Sequence, residues 1–208
     1  MTKLKPILLI LFYFTLLNIS AQRDFSDSQI TKVAMLGSGN PNPSPFQSGC
    51  SLAIIVNDIG WRVNSHEFTE EGEIYQDENV KVEAFPVSHG EWPNAWGFRF
   101  TTPDKVIVIS GDTKPTEKII EYAKGADILI HEVYYKKGYD TKPLIWKNYH
   151  AEHHTSSYEV AEIANKTKPK LIVLYHVLYW GGTDEDILME ISETYDGKVI
   201  VGKDLDVY

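Results

Sequence analysis

Residues 105–132 read KVIVISGDTKPTEKIIEYAKGADILIHE, and the alternation of apolar runs and breakers in this stretch decides the fold. Lys105–Ser110 carries four consecutive β-branched residues and then breaks at Ser110-Gly111-Asp112-Thr113. A run that short and that β-branched predicts a buried strand followed by a turn. Thr116–Lys124 sets Ile119, Ile120 and Ala123 at helical spacing. Asp127–Ile130 is a second short apolar run, and it ends on His131-Glu132.

The same rhythm extends in both directions. Downstream, Ser156–Lys166 predicts a helix, with Ser156 and Glu159 spaced as a capping box and Val160, Ala161 and Ala164 as its apolar stripe. Leu171–Tyr175 predicts a buried strand, Asp184–Tyr195 a helix and Lys198–Gly202 a last strand. Upstream, Gln29–Leu36, Cys50–Asn57, Trp61–Phe68 and Val80–Val87 predict strands, and Ala95–Thr101 pairs with Lys105–Ser110 in a hairpin turning at Pro103-Asp104. His66 and Glu67 fall on a surface strand in this reading. A mostly-strand first half and an alternating second half describe an α/β layered domain with a mixed sheet.

Polar residues cluster where strands end. His89 follows the strand Val80–Val87, Asp112 follows Lys105–Ser110, Glu132 follows Asp127–Ile130, and His176 follows Leu171–Tyr175. In a layered α/β domain such positions converge on one edge of the sheet. Imidazole and carboxylate suit zinc, and a carboxylate can bridge two ions. His150-Ala151-Glu152-His153-His154 is also dense in ligand types, and reads as a polar loop ahead of a helix. Trp92, Trp96, Trp146 and Trp180 fall in loops beside these residues, where they shape a pocket or pack beneath the loops.

Gly37-Ser38-Gly39 with Pro41 and Pro43, Pro86-Val87-Ser88-His89-Gly90, Ser110-Gly111-Asp112-Thr113, Ile130-His131-Glu132-Val133, His154-Thr155-Ser156 and Leu174-Tyr175-His176 occur in that order. The series resembles the metallo-β-lactamase superfamily, most of all its ribonuclease Z and arylsulfatase-like branch. The likeness covers roughly residues 30–57 and 61–208. It implies an αββα sandwich with mixed sheets and one or two zinc ions as cofactor. On the matching positions it implies that His89 binds the first metal, Asp112 bridges and His176 binds the second. Glu132 and His154 match the pair that aids proton transfer to the leaving group.

One departure matters. The family's His-x-His-x-Asp-His motif does not occur, and no two histidines are separated by a single residue. The chain passes from Asn57-Asp58-Ile59-Gly60 to Trp61-Arg62-Val63, which reads as one internal deletion near residues 57–60 and a truncated first half. Two ligands per zinc fall short of the usual three, whereas His89, Asp112 and His176 around one ion match a catalytic stoichiometry. The resemblance implies a hydrolase of a phosphodiester, sulfate ester or related ester. A catalytically inactive binding or structural protein on the same fold, and the product of a gene that has lost a segment, stay open.

Composition limits the partners. The chain has 208 residues, enough for one domain with a core. Ile7–Leu17, preceded by Lys3 and Lys5 and followed by Ala21, predicts a cleaved signal peptide over residues 1–21, a single domain over 22–208, and a secreted or periplasmic location. That run is too short to span a membrane. Removing it takes away two lysines and moves the net charge from −9 to −11. So acidic a protein argues against nucleic acid and for a small ester substrate. The single Cys50 forms no internal disulfide, and a homodimer is compatible with the sequence.

Overall fold

The computed structural model describes residues 31–37, 51–55 and 67–208. The expected signal peptide over residues 1–21, the glycine-rich stretch after Gly37, Cys50, His66 and the expected break near residues 57–60 all lie outside the described residues.

Strands β1 (Lys32–Gly37) and β2 (Ser51–Ile55) pair antiparallel as a small sheet. The large sheet contains β3 (Gly72–Gln76), β4 (Lys81–Pro86), β5 (Trp96–Thr101), β6 (Val106–Ile109), β7 (Ile128–Tyr134), β8 (Leu171–Leu178) and β9 (Val199–Val201), side by side in that order. Pairings from β3 to β6 are antiparallel and those from β6 to β9 parallel, so the sheet is mixed. Parallel neighbours need a crossover. Helix α1 (Glu117–Ala123) joins β6 to β7. The β7–β8 crossover holds α2 (Lys136–Asp140), α3 (Leu144–His153) and α4 (Ser157–Thr167), and α5 (Asp184–Ser192) joins β8 to β9.

The continuous apolar strands follow from burial on both faces. Val108, Leu129, Ile172 and Leu174 meet Ile119, Val160, Ile163 and Ile187 of the helix layer. Ile107, Ile128, Ile130 and Val173 point the other way and meet Val33 and Met35 of β1. The C-terminus runs back along β1, with Val33 and Tyr208 exchanging two backbone hydrogen bonds of 3.0 Å. Small sheet, large sheet and helices are three of the four layers of an αββα sandwich among the described residues. No helix among them is long and apolar enough to cross a membrane.

Several elements differ from their sequence reading. Strands β7 and β8 continue past their apolar runs, so His131, Glu132 and His176 lie within strands rather than at their ends. Glu67 and Phe68 are irregular, and β3, a half-exposed edge strand, pairs with β4 instead. His150 to His153 form the last turn of α3 rather than a loop, with His154 as its C-cap. Of the tryptophans expected in loops, Trp96 starts β5 and Trp146 belongs to α3. The capping box of α4 is present, with Ser156 Oγ accepting from Glu159 N and Glu159 Oε2 accepting from Ser156 N.

Candidate functional site

The site is built from the turn after β6 and the C-terminal halves of β7 and β8, towards the edge at which parallel strands place ligand-binding groups. After β6 the chain turns through Gly111, at φ +66°, where an added Cβ would lie 2.5 Å from the Trp96 carbonyl oxygen. That turn delivers Asp112 and Thr113.

Glu132 is fully buried on β7. Its Oε1 accepts from Thr113 N at 3.2 Å and Thr155 N at 2.9 Å, so it ties the turn after β6 to the entrance of α4. Thr155 Oγ1 reinforces the join by donating to Thr113 O at 2.6 Å. Burial, with Asp112 nearby, pushes the carboxyl well above the usual carboxylate range, against the pull of the two backbone amides.

His154 follows α3 and places Nδ1 3.4 Å from Glu132 Oε1. Burial lowers its imidazole to about 4. His176 occupies the bulge at which the β7–β8 register skips from Tyr175 to Val177, with φ at +47°. A bulge re-aims one side chain out of the pleat. Here it sets His176 Nε2 3.5 Å from Asp112 Oδ2 and stacks the ring on His154 at 5.5 Å. Burial lowers the His176 imidazole, with Asp112 opposing. His89 donates from Nδ1 to the carbonyl of His153 at 2.9 Å, which fixes the tautomer and leaves Nε2 as the lone-pair nitrogen. Its ring lies 5.2 Å from that of His154. All five residues singled out from the sequence thus meet in one cluster.

Glu132 Oε2, His154 Nδ1 and both ring nitrogens of His176 are buried without a hydrogen-bond partner. Orphaned buried polar atoms are costly unless something pairs with them. Their chemistry, imidazole nitrogen and carboxylate oxygen, fits a divalent metal. Glu132, His154 and His176 each offer one donor atom within 4.8 Å of the others, and Asp112 and His89 border that group.

His150 and His131 had no role at the site in the sequence reading, and Glu190, which sits away from the cluster, went unremarked. His150 stands one helical turn before His154, 5.6 Å ring to ring, and packs 4.4 Å from Trp180. His131, fully buried on β7, directs Nδ1 to the Glu132 carbonyl at 2.6 Å, and burial lowers it to about 4. Glu190, fully buried on α5, accepts from Lys136 N, Lys137 N and Ser157 Oγ, tying α2 and α4 together. The density of ligand types over His150–His154 was the signal for His150, and reading that stretch as a loop hid the helical turn that sets His150 beside His154.

A helix-backed mixed sheet, a small facing sheet and a histidine–carboxylate cluster towards the C-terminal edge of the parallel strands together define a metallo-β-lactamase fold. The chain belongs to the Beta-lactamase superfamily domain family, whose model matches residues 47–177. It is 25% identical over 204 residues to ribonuclease Z of Mycobacterium bovis (strain BCG / Pasteur 1173P2), covering 88% of this chain and 72% of that protein. To ribonuclease Z of Mycobacterium sp. (strain KMS) it is 29% identical over 168 residues, or 74% of this chain and 59% of that one. The metallo-beta-lactamase fold protein YhfI from Bacillus subtilis superposes with a TM-score of 0.55 at 18% identity, over 68% of this chain and 54% of that structure. The chain therefore spans just over half of that solved relative.

Proposed function

We propose that this chain is an exported metal-dependent hydrolase of a phosphodiester, sulfate ester or related small ester. The observation that carries the reading is the set of buried, unpartnered donor atoms of Glu132, His154 and His176, which Asp112 and His89 border. His89, Asp112 and His176 would hold the metal. His89 is pre-aimed, because its Nδ1–H is committed to His153 O and Nε2 alone can ligate. When bound, zinc or a similar ion supplies an activated hydroxide and polarises the ester.

Glu132 and His154 do a different job. Burial favours the protonated form of Glu132, and Oε2 has no partner. A neutral His154 stands 3.4 Å away. A proton held at Glu132 can therefore pass through His154 to the departing oxygen, as a general acid requires. The curated relatives are ribonuclease Z proteins, yet the net charge of −9 opposes binding of a polyanion, which favours a small ester.

The test is hydrolysis of bis(4-nitrophenyl) phosphate and 4-nitrophenyl sulfate by the metal-loaded protein. Turnover of either, lost on chelation and in Asp112→Ala, is expected. A folded, metal-replete protein that turns over neither overturns the reading.

A further inference from the structure

A cavity of about 520 Å³ opens beside the cluster, lined by Gly90, Glu91, Trp92, Asn148, Tyr149, Glu152 and His153. Its size falls within the roughly 300–1,000 Å³ of small-molecule sites. Two aromatic side chains border it while still largely open to solvent: Trp92 is 69% exposed and Tyr149 46% exposed. Leaving such rings uncovered beside a concave site marks a place where a ligand completes the packing.

Both rings are tied to the proposed metal ligand His89. Trp92 N donates to the His89 carbonyl at 3.1 Å, closing the turn through Gly90. Tyr149 stacks on His153 at 4.0 Å and 19°, and Tyr149 O pairs with His153 Nδ1 at 2.6 Å. His153 in turn gives its carbonyl to His89 Nδ1. Gly90 forms the floor, where an added Cβ would lie 1.9 Å from His153 Nε2, so the turn and the imidazole are in direct contact.

The charge at the rim selects the ligand. Glu91 and Glu152 both line the opening, and with Lys114 paired to Glu152 at 2.6 Å the carboxylate of Glu91 leaves the rim net negative, which disfavours a second anionic group. One exposed carboxylate and two rings do not make a full cage, which disfavours a cation. We propose that this pocket receives an uncharged aromatic group of the ester, stacked against Trp92 and Tyr149 while the ester itself lies at the cluster. The proposal rests on the hydrolase reading and narrows its substrate class to aryl esters.

Calorimetric titration of the metal-loaded full chain with phenylphosphonate, methylphosphonate, 4-carboxyphenylphosphonate and phosphocholine tests it without turnover. Phenylphosphonate should bind about tenfold tighter than methylphosphonate, a difference of about 1.4 kcal/mol. It should also bind more tightly than the carboxylated analogue and phosphocholine. Trp92→Ala and Tyr149→Ala, melting like the wild type, should each erode the phenyl preference and together abolish it. Equal binding of phenyl and methyl probes overturns the pocket. So does a preference that survives the double variant, tighter binding of either charged probe, or no binding of phenylphosphonate at millimolar concentration. Phenyl preference without turnover would sink the hydrolase reading alone; turnover without phenyl preference would sink the pocket alone.

Discussion

Replacing Glu132 separates its structural role from its charge. In Glu132→Ala, the amides of Thr113 and Thr155 lose the oxygen that accepts from them at 3.2 and 2.9 Å. The carboxyl is fully buried, so water does not stand in for it. A buried donor left unsatisfied costs about 1–3 kcal/mol, so the pair sets a loss of roughly 2–6 kcal/mol. Against a total stability of about 5–15 kcal/mol that is a large fraction. Glu132→Gln keeps an oxygen at the same reach. Burial already favours the neutral acid, so the amide replaces a neutral group of equal shape. Its loss should stay below about 1.5 kcal/mol. Urea unfolding of the chelator-treated protein at pH 7, followed by tryptophan fluorescence, measures both. If Gln proves as damaging as Ala, the ionised carboxylate holds the loops. If Ala costs less than about 0.5 kcal/mol, as a surface change would, Glu132 is no strut.

Other perturbations read neighbouring parts of the structure. Burial lowers His131, His150 and His154 to about 4, so these rings are neutral when folded and gain protons on unfolding below about pH 6.5. Stability should be full above that pH and fall progressively towards about pH 4, with a shallower fall in His131→Phe. A urea midpoint that does not change across the window contradicts this. Gly90→Ala sets a side chain at φ +58° against His153 and should lower stability by about 1–3 kcal/mol, read as a drop in the urea midpoint. Lys168 caps α4 in the left-handed region at φ +52°, so Lys168→Gly should gain about 1 kcal/mol by the same measurement.

Strands β4 to β8 and helices α1, α4 and α5 were legible in the sequence because each carried a local signature; His89, Asp112, Glu132 and His176 stood out as polar residues after apolar runs, whereas His154 was singled out only through the family resemblance. The capping box Ser156/Glu159 is written in two residues, and Val106 to Ile109 can hardly be anything but a buried strand. The strand interiors at His131, Glu132 and His176 were not legible, because polar residues read as terminators when they are in fact buried in a polar cluster. A bulge such as that at His176 leaves no mark in composition. Helix α3 hides because Leu144, Ile145 and Trp146 face solvent instead of forming an inward stripe. Glu190 hides because an acidic residue in an acidic helix reads as solvated, whereas the amides of Lys136 and Lys137 hold it inside.

Metal content tests the cluster most directly. The full chain, purified without chelator and measured by inductively coupled plasma mass spectrometry, should carry at least one zinc or similar divalent ion per chain. Asp112→Ala and His176→Ala should lose it while keeping their circular-dichroism spectrum. A folded wild-type protein that stays metal-free after incubation with zinc would show that the cluster is not a metal site.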